Sequence, residues 1–318
     1  SVNTVFLNYL EAGTLPDGRI RYAGSIPGNA STTTSVNGRR RVSTFADVFY
    51  LTNTDKGQAW GTTLSVARPM KNKWSWSVSW THGNATEVSP ITSSTASSNF
   101  QNRAVFNPNE DVASVSNTSI KDRIVASLTR RFEFIKNAPT TVSLVYQGRT
   151  GHPYSWVFYG DANGDGYGFN DLLYVPTGPD DPRVTWANTA QRDAFFAFVN
   201  SSGLSKYAGG HAPRNSETSP WLNTVDLKFT QEIPLYKRVR AELYLNVLNI
   251  ANLIDKSWGI QEEVPFSYRR AVASAGYNAA TNQWAYTFTN TTLNAVPTTV
   301  DDTPVSRWQV LAGMRIKF

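Results

Sequence analysis

The stretch that most constrains this chain runs from Val305 to Phe318, where apolar and polar residues alternate. Trp308, Val310, Ala312, Met314, Ile316 and Phe318 fall on one side, and Gln309, Leu311, Gly313, Arg315 and Lys317 on the other. Successive side chains of a strand point to opposite faces, so the pattern predicts a strand with one apolar and one mostly polar face. Lys73 to His82 repeats the pattern more sharply, with Trp74, Trp76, Val78 and Trp80 set against Ser75, Ser77, Ser79 and Thr81. Large rings on one face and bare hydroxyls on the other are hard to bury in a soluble sandwich. Rings toward acyl chains and hydroxyls toward a wet interior suit both faces.

Composition narrows the choice. The chain has 318 residues, 40% of them hydrophobic, and no run of about 18 apolar residues that a transmembrane helix needs. A spanning strand needs only about ten alternating residues, so a β-barrel tolerates modest hydropathy. There is no cysteine, which excludes a disulfide framework and a thiolate metal site. The net charge of +6 is spread over short clusters such as Arg39-Arg40-Arg41, Arg130-Arg131 and Arg269-Arg270. No concentrated basic face or known module argues for a nucleic-acid partner. The chain opens Ser1-Val2-Asn3, without Met or a secretory signal, and the expectation is a piece of a longer protein.

Read in order, the alternating stretches come as pairs joined by short turns and separated by long polar segments. Gln58 to Arg68 and Lys73 to His82 flank a turn at Pro69-Met70-Lys71-Asn72. A polar segment, about Gly83 to Asn117, precedes a strand from Thr118 to Arg130, in which Asp122 interrupts the apolar face. A turn near Lys136-Asn137-Ala138-Pro139 leads to Thr141–Gly148, followed by a long loop over residues 150–220. Trp221–Gln231 and Arg238–Asn249 flank a turn at Pro234-Leu235-Tyr236-Lys237. A further hairpin, Ile260–Ala273 with Gln283–Asn290, either crosses or stands above the membrane, and Phe49–Thr54 reads as part of an external loop. The predicted fold is all-β, an antiparallel transmembrane barrel segment with about eight to ten crossings, short periplasmic turns and long extracellular loops.

Several stretches then carry a resemblance. Leu51-Thr52-Asn53-Thr54-Asp55-Lys56-Gly57, Ser93 to Phe100, Gly160 to Gly166 with Asn170 to Pro176, Leu245-Asn246-Val247-Leu248-Asn249, and the terminal Arg307 to Phe318 are spread over most of the chain. In this order they resemble the C-terminal barrel portion of TonB-dependent outer-membrane receptors of the Oar-like group. That resemblance implies a barrel of about 22 strands, plugged by an N-terminal domain and energised through TonB. It also implies that the barrel-assembly machinery reads the last strand, with Trp308 and Phe318 as the signal. Residues 1–318 would then hold the C-terminal part of the barrel, without the plug or the first half.

The sharpest local motif is Asp161-x-Asn163-x-Asp165-Gly166. Oxygens at alternating positions, with a glycine for the sharp turn, are what calcium loops require. A calcium loop here would use Asp161, Asn163, Asp165 and Asp171 as side-chain ligands and the Tyr167 carbonyl. The last loop position holds Leu172 where the calcium loop wants Glu, and a polar Gly-rich turn without an ion is the competing reading. His82, His152 and His211 read as isolated. Glu262-Glu263, Asp180-Asp181 and Asp301-Asp302 read as solvated loop charge, since neighbours on a strand face opposite ways. No nucleophile elbow, Walker loop or dinucleotide fingerprint occurs. Trp60, Trp74, Trp76, Trp80 and Trp308 read as interfacial girdle and lipid contact, while Trp156, Trp186, Trp258 and Trp284 remain open to ligand contact.

The expectation is a non-enzymatic receptor or transporter barrel in the bacterial outer membrane, requiring no cofactor, that captures an external ligand of unknown identity. Arg240, Glu242, Tyr244, Arg315 and Lys317 would line the interior and meet the plug. Its partners would be outer-membrane lipid, the plug domain, the TonB system and the assembly machinery. The alternatives are a surface-adhesion protein anchored by the same barrel and a secreted β-sandwich hydrolase or carbohydrate-binding module.

Overall fold

A computed structural model describes residues 1–22, 41–42, 44–45, 48–289, 292 and 306–318. Arg39, Arg40, Asn290, Asp301, Asp302 and Val305, which figure in the sequence reading, lie outside the described residues. Seven long strands form the largest sheet: β1 (Ala59–Lys71), β2 (Trp74–Glu87), β3 (Asp122–Ile135), β4 (Ala138–Arg149), β5 (Leu222–Tyr236), β6 (Val239–Leu248) and β7 (Gln309–Lys317). They pair antiparallel in chain order, and the short strand Ser114–Val115 adds to β2 as an eighth member. Among the described residues β1 and β7 have no partner on their outer sides.

The register turns seven alternating sequences into continuous rows. Trp76, Leu128, Leu144, Leu227, Val247 and Val310 stand opposite one another across β2 to β7. A neighbouring row joins Val66, Val78, Ala126, Tyr146 and Val225. Most of these side chains are open, Trp76 at 37% and Val66 at 63% exposure, while Val247 near the cap end is buried at 8%. On the other face hydroxyls form cross-strand rungs, Thr63 with Thr81 at 3.0 Å, Ser77 with Ser127 at 2.7 Å and Thr129 with Ser143 at 2.9 Å. The pairing of side chains across strands fixes the register, because a slip of one residue would carry every ring to the polar face.

The hairpins are tighter than the sequence suggests. Asn72 and Lys73 both take positive φ, +54° and +66°, and alone connect β1 to β2. This is the two-residue turn whose twist matches paired strands. Pro69, expected in the turn, sits in β1 where the register shifts between Arg68 and Lys71; proline lacks an N–H and is tolerated at such a bulge. Likewise Pro234 and Tyr236 belong to β5, and the chain reverses at Lys237-Arg238. Pro139 lies in β4, beside the shift between Phe132 and Ile135.

The crossings number seven in this sheet, not eight to ten. The expected strand Ile260–Ala273 shrinks to Arg269–Ala271, and Gln283–Thr287 pairs with Ser274–Asn278 away from the main sheet. Phe49–Asn53 pairs with Val2–Phe6 in a separate two-stranded sheet. Residues 150–220 are not one loop. They carry a helix, Thr189–Ser201, capped by the Asn188 side chain, and short strands that pair with distant ones. Pro153–Val157 runs parallel to Arg269–Ala271, and Val184–Trp186 parallel to Gln283–Thr287. These pieces share an aromatic core of Trp156, Phe158, Tyr174, Phe195, Trp284 and Tyr286, here called the cap. Trp156 and Trp284 are 2% and 0% exposed, so neither is free for ligand contact.

No helix among the described residues is long and apolar enough to cross a membrane.

Candidate functional site: a polar wall beneath a folded cap

The polar face of the sheet is built from strand residues of one parity. At the end carrying the hairpin turns, Arg240, Glu242, Tyr244, Arg315 and Lys317 stand together on it. Glu232 and Glu242 face each other directly across β5 and β6, an unfavourable pairing by itself. Cations offset it. Arg240 reaches Glu232 at 3.3 Å, Lys317 donates to Glu242 and lies 3.9 Å from Glu232, and Arg315 lies 3.9 Å from Glu242. Tyr244 lies over Gly313, where a Cβ would come within 2.4 Å of its ring, so only glycine admits the tyrosine there.

At the opposite end the same face opens into a pocket of about 460 Å3 bounded by Arg123, Gln147, Arg149, His152, Thr224 and Gln261. Arg123 donates to Gln147 at 3.4 Å. Arg149 meets the buried Glu263 at 3.0 Å, and His152 lies 3.9 Å from the same carboxylate while stacking on Tyr268. Glu263 is therefore no free loop charge. It ties the cap to the rim of β4. The pocket can take a polar ligand with anionic or carbonyl oxygens facing Arg123, whose guanidinium no carboxylate among the described residues holds.

The apolar face carries aromatic rings at both ends. Trp60, Trp80, Tyr146 and Trp221 lie toward the cap; Tyr146 and Trp221 both donate to Asn223, at 2.7 and 2.8 Å. Asp122, the defect in the sequence pattern, accepts from Trp80 at 3.2 Å and pairs with His82 at 2.8 Å. At the turn end Arg130 lies over Trp74 at 4.3 Å and Phe132 at 4.9 Å. Amphipathic rings at two heights with bare aliphatic rows between them are the arrangement of a membrane-spanning wall. Trp308 and Phe318, at the two ends of β7, are both exposed on this side.

In the cap, Asp161, Asn163, Asp165, Tyr167 and Asp171 do come into one turn. Its oxygens are already engaged. Asp161 accepts from the backbone N–H of Gly164, Asp165 and Gly166, and Asn163 from that of Asp165. Asp165 accepts from Tyr167 N–H at 2.7 Å and from Asn170 at 3.2 Å; Asp171 accepts from Ala162 at 2.8 Å. The oxygen donors have the right chemistry for calcium. Their placement is a self-closed turn, and no group of three or more acidic or histidine side chains among the described residues is arranged to hold a metal. Burial, then the charge of Asp171, pushes the Asp161 carboxyl up to about 7. Burial also lifts Asp171 to about 6 in spite of Arg19, and Asp165 stands well above the ordinary range.

Sequence reasoning missed Arg19. It is fully buried, pairs with Asp17 at 2.8 Å and Asp171 at 3.4 Å, and donates to the Leu172 carbonyl at 2.6 Å. Its guanidinium also lies 5.1 Å from the Phe106 and Phe158 rings. Nothing around Arg19 in the sequence signals this, because the partners are set by tertiary packing. Asp181, expected as solvated charge, is also buried. Burial acts to raise its carboxyl, but the N–H groups of Thr177 and Arg183, with the Tyr174 hydroxyl, hold it below the usual range. The three histidines stay apart: His82 at the rim, His152 in the pocket, and His211 stacked on Phe106 at 4.6 Å.

A family model described as an outer membrane beta barrel domain matches residues 7–257. Comparison with curated proteins and with solved structures gives no match.

Proposed function

The chain belongs to the outer membrane beta barrel domain family and resides in the bacterial outer membrane; from that premise we propose that it is the ligand-capturing part of a TonB-dependent receptor of the Oar-like group. The supporting observation is the polar wall itself. It runs from the arginine-lined pocket under the cap to the charge cluster at the turn end, along one face of a sheet whose other face is apolar. In this reading an external ligand enters past the cap, and the face lined by Arg240, Glu242, Tyr244, Arg315 and Lys317 meets a plug. No bond is made or broken, and the energy comes from the inner membrane. The free edges of β1 and β7 pair with further strands to close a barrel of about 22, since unpaired backbone groups do not persist in lipid. The assembly machinery reads Trp308 and Phe318.

Deletion of the gene tests the proposal. Ligand-dependent loss of growth, restored by the wild-type gene but not when TonB is also removed, is the expected result. Loss of cell–cell contact with uptake intact would instead favour an adhesion protein on the same barrel.

A further inference from the structure

The outer rim of β1 and β2 holds a second cleft, on the apolar side of the sheet and therefore outside the polar wall. Trp60 stands opposite Asn84, and Thr62 opposite His82. All four belong to the parity that faces lipid. The rings of Trp60 and His82 lie 5.4 Å apart, and Trp80 stacks on the other side of the histidine at 5.6 Å. Charged groups on a lipid face are costly at the midplane and nearly free at the interface. The His82–Asp122 pair therefore marks the height at which acyl chains end and headgroups begin.

At that height lies a cleft of about 420 Å3 bounded by Trp60, His82, Asn84, Ser119, Lys121 and Ser216. The cap roofs it through Asn215, whose amide donates to the Val115 carbonyl at 2.7 Å and to Asn117 at 2.6 Å. The Ser216 hydroxyl is shielded from water and has no hydrogen-bond partner. Lys121 is exposed, and no ion pair engages its ammonium among the described residues. The Asp122 carboxylate next to it is already taken by His82 and Trp80. An aromatic face, amide and hydroxyl groups and the exposed Lys121 ammonium thus converge above the Trp76–Val78–Val66 surface.

We propose that this cleft seats the phosphorylated saccharide headgroup of an outer-leaflet glycolipid. The sugar ring lies on Trp60, its hydroxyls meet Asn84 and Ser119, and the phosphate meets Lys121. The acyl chains continue down the apolar rows. Continuity with that lipid-facing surface is what selects a membrane lipid over a soluble sugar. The inference rests on the outer-membrane location and not on the receptor reading.

Protein purified from outer membranes in mild detergent, with bound lipid measured by native mass spectrometry, provides the test. Its probes are a phosphorylated glycolipid, the same lipid dephosphorylated, and phosphatidylglycerol. Wild-type protein should retain one phosphorylated glycolipid, and K121A and W60A should each cut retention about tenfold, with W60F near wild type. Removing the phosphate should weaken binding to wild type as much as K121A does and should change nothing further for K121A. Unaltered strand content by circular dichroism shows that the variants fold. Equal retention by wild type, K121A and W60A would overturn the proposal, and so would phosphatidylglycerol binding as tightly as the glycolipid.

Discussion

The main sheet and the cap bury opposite things. In the cap, Trp284 and Tyr286 are enclosed among Phe158, Phe195 and Trp186, and the side chains that stay out are, Tyr159 apart, small or polar. In the sheet, Trp76, Leu243 and Met314 lie open while serines and threonines bond to one another across the strands. Residue types alone do not account for this, because both regions use tryptophan and phenylalanine. The solvent differs: water surrounds the cap, and acyl chains take over on one face of the sheet. Burial of apolar area therefore stabilises the cap, whereas backbone pairing stabilises the sheet.

Mutations should separate the two regimes. The largest effect is expected in the cap. R19M leaves Asp17 and Asp171 buried without their cation and should destabilise the cap by about 3–5 kcal/mol. W284A should cost about 3–5 kcal/mol by opening a cavity. Hydrogen exchange over 153–212 would report both, and the strands should stay protected. In the sheet the order reverses. L243R should cost about 2–4 kcal/mol in lipid, measured by urea unfolding in bilayers, while W76A should cost less than W284A because acyl chains fill the gap. K317A, at an exposed ion pair, should shift stability by about 1 kcal/mol or less.

Acid should act on the Asp161–Asp171 turn in an unusual direction. Asp161 and Asp171 hold their protons to about 7 and about 6, and Asp165 holds its proton above the ordinary range. The unfolded chain has lost these protons by about pH 4 to 5. The folded turn then binds more protons than the unfolded one, so stability is full below that range and falls as pH rises toward 7. Exchange over 161–172 should therefore speed up between pH 5 and 7 beyond the intrinsic rate. D165N should flatten that slope, since it removes one of the buried carboxyls that hold a proton in the folded turn. Chelation of divalent cations should leave the turn unchanged if it closes on its own hydrogen bonds, and a calcium-dependent gain in protection that D165N abolishes would instead support the calcium loop.

The sheet was legible in the sequence because two solvents imprint a strict period of two. Trp308 to Phe318 alternates with one apolar face throughout, and the register sets that face beside the apolar row of β6. The turns were misplaced by a residue or two because Pro69 and Pro234 look like turn formers and instead occupy irregular strand positions. The cap was illegible. Its strands are only two to five residues long, too short to carry a period, and Pro153–Val157 and Val184–Trp186 pair with segments about a hundred residues away. Arg19 and Asp171 are separated by 152 positions, with nothing local to announce the contact. The acidic turn was visible as a motif, but its hydrogen-bond closure depends on backbone conformation that residue types do not specify.

One face of β6 and β7 meets lipid and the other meets water, and cysteine labels can tell the two apart. The chain has no cysteine, so single labels are unambiguous. L243C, L245C, V310C and M314C should be quenched by lipid-borne spin labels and react slowly with a charged maleimide, while E242C, Y244C, L311C and R315C should do the reverse. Equal reactivity of the two sets, or protection of Leu243 and Met314 from lipid and water alike, would contradict the account.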